Sequence, residues 1–179
     1  CNIKGVNRRI LDNNGIKYCI NTMSITNCII SLGAINDGSG GIIFMYNNGG
    51  FINDFSMTNS TVYGTVKASS GAYFLRYNNN QGPTTLGYVS GSVKFANNTF
   101  YNVVYTGQMA NYGGMNKKAV TLTLTNNIFV NTGSSAVTKR LMIQQTNINM
   151  NFLNNCFLYD GVFPKANEVD PAYGDKTGF

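Results

Sequence analysis

The sequence predicts an all-β fold, a right-handed single-stranded parallel β-helix of about five coils with three short strands per coil and an Asn ladder at one corner. Three observations carry this: 28 of the 179 residues are Asn, one motif recurs at intervals of 28 to 38 residues, and apolar and polar residues alternate within each copy. Asn is poor in helices and strands but tolerates left-handed backbone and bonds to neighbouring peptides, so its excess implies many turns and no long helix.

Five segments align without gaps on one Asn: Met23-Ser-Ile-Thr-Asn27-Cys-Ile-Ile30, Phe55-Ser-Met-Thr-Asn59-Ser-Thr-Val62, Val93-Lys-Phe-Ala-Asn97-Asn-Thr-Phe100, Leu122-Thr-Leu-Thr-Asn126-Asn-Ile-Phe129 and Met150-Asn-Phe-Leu-Asn154-Asn-Cys-Phe157. Residues four and two before the Asn are apolar, the signature of a strand with one buried face, and a further apolar column follows three residues after it. Each segment therefore reads as strand, corner, strand. A corner inside a stack leaves buried peptide groups that no strand partner reaches, and Asn27, Asn59, Asn97, Asn126 and Asn154 are expected to satisfy them as a buried amide ladder. Asn59-Ser-Thr61 and Asn97-Asn-Thr99 match glycosylation acceptors, and the expected burial argues against their use.

A third strand precedes each of these pairs. It is carried by Arg8-Arg-Ile-Leu-Asp-Asn-Asn14, Ile42-Ile-Phe-Met-Tyr-Asn-Asn48, Tyr73-Phe-Leu-Arg-Tyr-Asn-Asn79 and Lys139-Arg-Leu-Met-Ile-Gln-Gln145, with a degenerate copy around residues 107–112. Aligning Ile10, Phe44, Leu75 and Leu141 as inward residues turns Arg9, Arg76 and Arg140 outward beside Leu11, Ile43, Met45, Phe74 and Met142, and places Tyr46 and Tyr77 in the core with Ile143. The same parity turns Arg8 and Asp12 inward, an expensive placement unless they pair. Strands that repeat in one direction must pair with their successors in parallel, about 4.8 Å apart, and the crossover rule makes the winding right-handed.

The repeat covers residues 1–164, and residues 165–179 are expected as an irregular tail. Cys1-Asn2-Ile3 stands in the place of Cys28-Ile29-Ile30, so the chain opens in mid-coil and reads as a fragment with an upstream domain; Cys1 as a lipid-anchor residue is the alternative. Residues 81–88 form an insertion that would emerge as a loop on one face. Cys1, Cys19, Cys28 and Cys156 lack zinc-ligand or CxxC spacing and read as free thiols. Cys1 and Cys28 fall about 4.8 Å apart on successive coils, within disulfide reach in an oxidising compartment, but a reduced stack is the expectation.

Several chemistries are excluded by composition. There is no His, so Ser-His-Asp, Cys-His and His-metal sites are ruled out together, and no metal site or cofactor is expected. The net charge of +6 is spread thinly with no basic run, so no nucleic-acid partner is expected, and no apolar run is long enough to span a membrane.

The corner pattern, as in Val93-Lys-Phe-Ala-Asn97-Asn-Thr-Phe100 and Leu122-Thr-Leu-Thr-Asn126-Asn-Ile-Phe129, resembles that of the pectate-lyase-like β-helix superfamily. More narrowly, Phe44-Met-Tyr-Asn-Asn48, Leu75-Arg-Tyr-Asn-Asn79 and Asp170-Pro171 resemble β-helix domains of uncharacterised function in secreted and surface proteins of gut Bacteroidetes. The resemblance covers most of residues 1–175 and rests on structural motifs. It implies a secreted or cell-surface location and polysaccharide handling along the groove over the first strand of each coil. The superfamily's lyases and polygalacturonases use carboxylate clusters, yet here none of Asp12, Asp37, Asp54, Asp160, Glu168, Asp170 and Asp175 repeats in register on adjacent first strands.

The reading is therefore an extracellular carbohydrate-associated domain, non-catalytic by itself, that binds or presents a polysaccharide, acidic glycans included. Arg9, Arg76, Arg140, Phe74 and Met45 are the candidate sugar-binding residues, through carboxylate contacts and stacking. Two alternatives stay open: a polysaccharide lyase whose catalytic coils lie upstream or in residues 81–88, and a purely structural spacer or adhesin.

Overall fold

The computed structural model describes residues 1–6, 9–13, 19–33, 41–45, 51–64, 73–77, 90–103, 108–111, 119–132, 142–143 and 148–158. Among them the regular structure is all β. In chain order the strands are β1 (Asn2–Val6), β2 (Leu11–Asn13), β3 (Cys19–Thr26), β4 (Ile29–Leu32), β5 (Gly41–Met45), β6 (Phe51–Thr58), β7 (Thr61–Gly64), β8 (Tyr73–Tyr77), β9 (Ser90–Ala96), β10 (Thr99–Tyr101), β11 (Gln108–Asn111), β12 (Ala119–Thr125), β13 (Ile128–Val130), β14 (Met142–Ile143), β15 (Ile148–Leu153) and β16 (Cys156–Leu158).

Every third strand adds to the same sheet. The first sheet runs β2-β5-β8-β11-β14, the second β3-β6-β9-β12-β15 and the third β1-β4-β7-β10-β13-β16. All described pairings are parallel. Parallel neighbours need a long return path, and the other two strands of each repeat supply it.

Register in the second and third sheets is the one the corner alignment predicts. Met23, Phe55, Val93, Leu122 and Met150 are successive partners, as are Ile25, Met57, Phe95, Leu124 and Phe152. In the third sheet Ile3, Ile30, Val62, Phe100, Phe129 and Phe157 form one column. Phe55, Phe95, Phe100 and Phe129 are all buried, with Met57, Leu122 and Leu124 among them. Phe100 stacks on Phe129 at 5.2 Å and Phe129 on Phe157 at 5.1 Å, nearly coplanar, so like rings repeat at about the spacing of the strands that carry them. Phe95 lies within 6 Å of three other rings, those of Phe55 (5.5 Å), Phe74 (5.9 Å) and Phe100 (5.8 Å).

The first sheet corrects its alignment, by two residues between β2 and β5 and by one residue from β5 to β8 and from β8 to β14. Leu11, Ile43, Leu75, Ala110 and Met142 are the partners, in place of Ile10, Phe44, Leu75 and Leu141. Asp12 pairs with Phe44 and Phe44 with Arg76, so the costly inward carboxylate no longer follows from the alignment. Tyr77 pairs with Met45 while Ile143 pairs with Asn111, so these two do not share a column; Tyr46 lies outside the described residues. The degenerate copy is a strand after all, since β11 joins β8 to β14. Tertiary pairing chose the register because the motif alone, read through paired amides at its end, has no strict period.

Cys1 and Cys28 are joined by a disulfide, with Cα atoms 4.5 Å apart, which corrects the expected reduced stack. Pairing of Asn2 with Ile29 and of Ile3 with Ile30 brings the two half-cystines onto neighbouring strand ends. The tail and residues 81–88 lie outside the described residues.

Phe95→Ala removes a ring that contacts three others, and a loss of about 3–5 kcal/mol is expected from urea unfolding. Reductant should lower the urea midpoint by the equivalent of about 2–4 kcal/mol, and the same reductant should leave a Cys28→Ser variant unchanged.

Candidate functional site

The corner is where sequence and backbone meet most sharply. Asn27, Asn59, Asn97, Asn126 and Asn154 all have left-handed backbone, with φ between 50° and 58°. Asn is the non-glycine residue that adopts this conformation most readily, and it turns the chain from the second sheet into the third in a single residue. These residues are exposed, which corrects the expected buried ladder. A ladder nevertheless runs along the outside: Asn97 Nδ2 donates to Asn59 Oδ1 at 3.2 Å and Asn126 Nδ2 to Asn97 Oδ1 at 3.1 Å. With Asn59 and Asn97 exposed, burial gives no argument against the two glycosylation motifs.

The buried polar ladder is one residue further on. On either side of that residue, backbone N–H groups find carbonyls of the neighbouring repeat, as in Asn97 N to Thr125 O and Thr99 N to Ser60 O. The residue between them has no such carbonyl, and a side chain of the next repeat accepts its N–H instead. Cys28 N donates to Ser60 Oγ, Ser60 N to Asn98 Oδ1, Asn98 N to Asn127 Oδ1 and Asn127 N to Asn155 Oδ1, all at 3.0–3.1 Å. The amide nitrogens return the exchange: Asn98 Nδ2 donates to Met57 O, Asn127 Nδ2 to Phe95 O and Asn155 Nδ2 to Leu124 O. Asn98, Asn127 and Asn155 are buried, and Cys28 of the disulfide occupies the same column. The doubled Asn at 97–98, 126–127 and 154–155 was the available signal: one supplies the turn, the other the internal bonds.

The exit from the third sheet repeats the device with a hydroxyl. Asn102 and Asn131 are also left-handed (φ 52° and 46°), and Val103 N donates to Thr132 Oγ1 at 3.2 Å. Thr132 Oγ1 in turn donates towards Val130 O at 2.9 Å. This second Asn corner was not anticipated.

The candidate sugar-binding residues do not come together as expected. Phe74 is fully buried, packed edge-on against Phe95 and Phe100 at 5.9 and 5.6 Å, so it belongs to the core and is withdrawn from the surface. Burial of a whole phenyl ring outweighs the alternation that placed it outside. Arg9 is half-buried just before β2. The side chains of Met45 and Arg76, and Arg140 entirely, lie outside the described residues.

The outward face of the second sheet is a regular polar array. Its columns are Thr22, Asp54, Ser92 and Thr121; Ser24, Ser56, Lys94, Thr123 and Asn151; and Thr26, Thr58 and Thr125, the last interrupted by the buried Ala96 and ended by the apolar Leu153. Like hydroxyls meet along it: Ser24 Oγ and Ser56 Oγ are 3.0 Å apart, and Thr26 Oγ1 and Thr58 Oγ1 3.1 Å. Asp54 accepts from Ser92 Oγ at 2.7 Å and from Asn53 Nδ2 at 3.1 Å, so its two oxygens are tied into the sheet. Among the described residues no three Cys, Asp or Glu side chains gather in a way that would hold a metal ion.

Asn127→Leu strips an acceptor from Asn98 and a donor from Phe95 O, and is expected to cost about 2 kcal/mol or more in urea unfolding. Asn126→Gly keeps the left-handed turn and gives up only exposed bonds, so a change within about 1 kcal/mol is expected. Equal losses for the two variants would contradict this division of labour.

Over residues 1–65 the chain matches the family model described as a domain of unknown function, DUF4957. No curated protein and no solved structure matches it.

Proposed function

We propose that this chain is an extracellular polysaccharide-binding domain without catalysis of its own, built as a right-handed parallel β-helix. Strand pairing in steps of three supports the β-helix, since three parallel sheets sharing each repeat enclose one core when they close around it. Handedness follows from the crossover preference of parallel strands. The Cys1–Cys28 bond supports an oxidising compartment and hence secretion or display at a cell surface.

The observation that carries the binding reading is the periodicity of the outward polar side chains, in which Ser24 meets Ser56 and Thr26 meets Thr58 one strand apart. Hydroxyls recur at the strand spacing in these columns, in Thr22, Ser92 and Thr121, in Ser24, Ser56 and Thr123, and in Thr26, Thr58 and Thr125, which suits a ligand that is itself a repeating polymer of hydroxyl groups. Each rung adds a similar small contribution, so affinity grows with ligand length while a single sugar binds weakly.

Affinity electrophoresis and calorimetry on the 179-residue chain are expected to detect at least one polysaccharide, with hexasaccharides bound well above the parent monosaccharides and no shortening or unsaturated product on incubation. Absence of binding across neutral and acidic polymers would overturn the reading.

A further inference from the structure

The third sheet presents a different outward surface. Its exposed large apolar residues are Ile29, Tyr63, Tyr101, Ile128 and Leu158, five of the six such side chains among the described residues. Tyr63 and Tyr101 are direct partners on β7 and β10, 36% and 46% exposed, with Thr61 and Thr99 paired beside them two residues earlier. Two residues before each Thr stands the exposed corner amide, Asn59 or Asn97, already bonded into a ladder with Asn126. On the β7 and β10 rungs the chain therefore displays, in order, an amide, a hydroxyl and an aromatic ring.

From this juxtaposition we infer that the third-sheet face, centred on Tyr63 and Tyr101 and bordered by Asn59 and Asn97, binds an extended neutral β-linked glycan lying across the strands. The inference rests on the polysaccharide reading above and adds to the hydroxyl array of the second sheet a separate face, that of the third sheet, with its own ligand class. Aromatic rings take the apolar C–H faces of pyranose sugars, while amides and hydroxyls bond their rim hydroxyls. Neighbouring strands lie about 4.8 Å apart, close to the advance per sugar of an extended β-linked chain, so consecutive sugars meet consecutive rungs. Charge selects the class. From β7 to β16 the outward positions are Thr61, Tyr63, Thr99, Tyr101, Ile128, Val130, Cys156 and Leu158, with no carboxylate, ammonium or guanidinium, in a chain whose net charge is +6; the exposed Lys4 stands on β1, two strands from Tyr63. A uronic-acid polymer would find no counter-charge from β7 to β16, whereas a neutral one loses nothing.

The test is calorimetry of the full chain with cellohexaose, xylohexaose, mannohexaose and hexagalacturonate. Binding of at least one neutral hexamer is expected, weakened about tenfold for each tyrosine removed in Tyr63→Ala and Tyr101→Ala, with a cooperative urea transition retained in both variants. The Tyr63→Phe/Tyr101→Phe double variant should retain most of the affinity, separating stacking from loss of fold. A neutral hexamer bound equally by wild type and the double alanine variant, or binding of hexagalacturonate alone, overturns this site while leaving polysaccharide binding intact. No hexamer bound, with a dimer that the double alanine variant abolishes, overturns both and makes the face a contact between copies of the chain.

Discussion

The backbone N–H of the residue following each left-handed Asn is the constraint on which the stack depends. It points into the protein, it has no carbonyl opposite, and leaving it bare would cost on the order of 1–3 kcal/mol at every repeat. The solution is intermolecular in style but intramolecular in fact: the equivalent side chain of the next repeat accepts it, through Ser60, Asn98, Asn127 and Asn155 in turn. Each repeat is thereby completed by its successor. A slip of one residue would move every acceptor away from its donor and turn the buried faces of three sheets outward at once, so register is strongly specified.

The rest of the packing follows from that fixed register. Because corners superpose, the strands on either side superpose, and like side chains stack on like: Phe100, Phe129 and Phe157 form a column of nearly parallel rings at 5.1–5.2 Å. The interval between corners varies from 28 to 38 residues without disturbing this, because the extra residues fall between the strands and outside the corner. At the β1 end of the third sheet a covalent rung takes the place of an amide, with Cys28 holding the ladder position and Cys1 its partner. Hydrogen bond and disulfide answer the same geometric demand, that consecutive repeats stay aligned at the corner.

The same regularity reaches the surface, where it bears on function. Outward side chains repeat at the strand spacing whether or not they serve the core, and among the described residues the outward faces of the second and third sheets differ in chemistry. The second sheet is hydroxyl-rich with Asp54 and Lys94 set in it, and the third is apolar, with Tyr63 and Tyr101 at its centre, and uncharged from β7 onward. Function is read from those side chains, since a repetitive parallel scaffold is compatible with many activities.

Much of the fold was legible because it is written locally and repeatedly. The five Asn-anchored segments, the alternation before them and the apolar column after them determined the strands of two sheets and their register, since a period-2 pattern admits one buried face and a recurring corner admits one alignment. The first sheet was not determined to the residue: its motif lacks an anchor, and pairing of Leu11, Ile43, Leu75, Ala110 and Met142 decided it. Sequence pointed to amides at the corner, but the repeat alignment put the first Asn of each pair inside, whereas the second is the buried one. That depends on the left-handed turn of the first, which exposes its own side chain and directs the next N–H and side chain to the interior. Phe74 joined the core for a similar reason, since contact with Phe95 and Phe100 exists only once distant strands meet. Pattern along the chain determines which residues alternate and where the chain turns. Which atoms satisfy one another across repeats, and so which residues are left for a ligand, is decided by the assembled stack, because those bonds join residues about thirty apart in sequence.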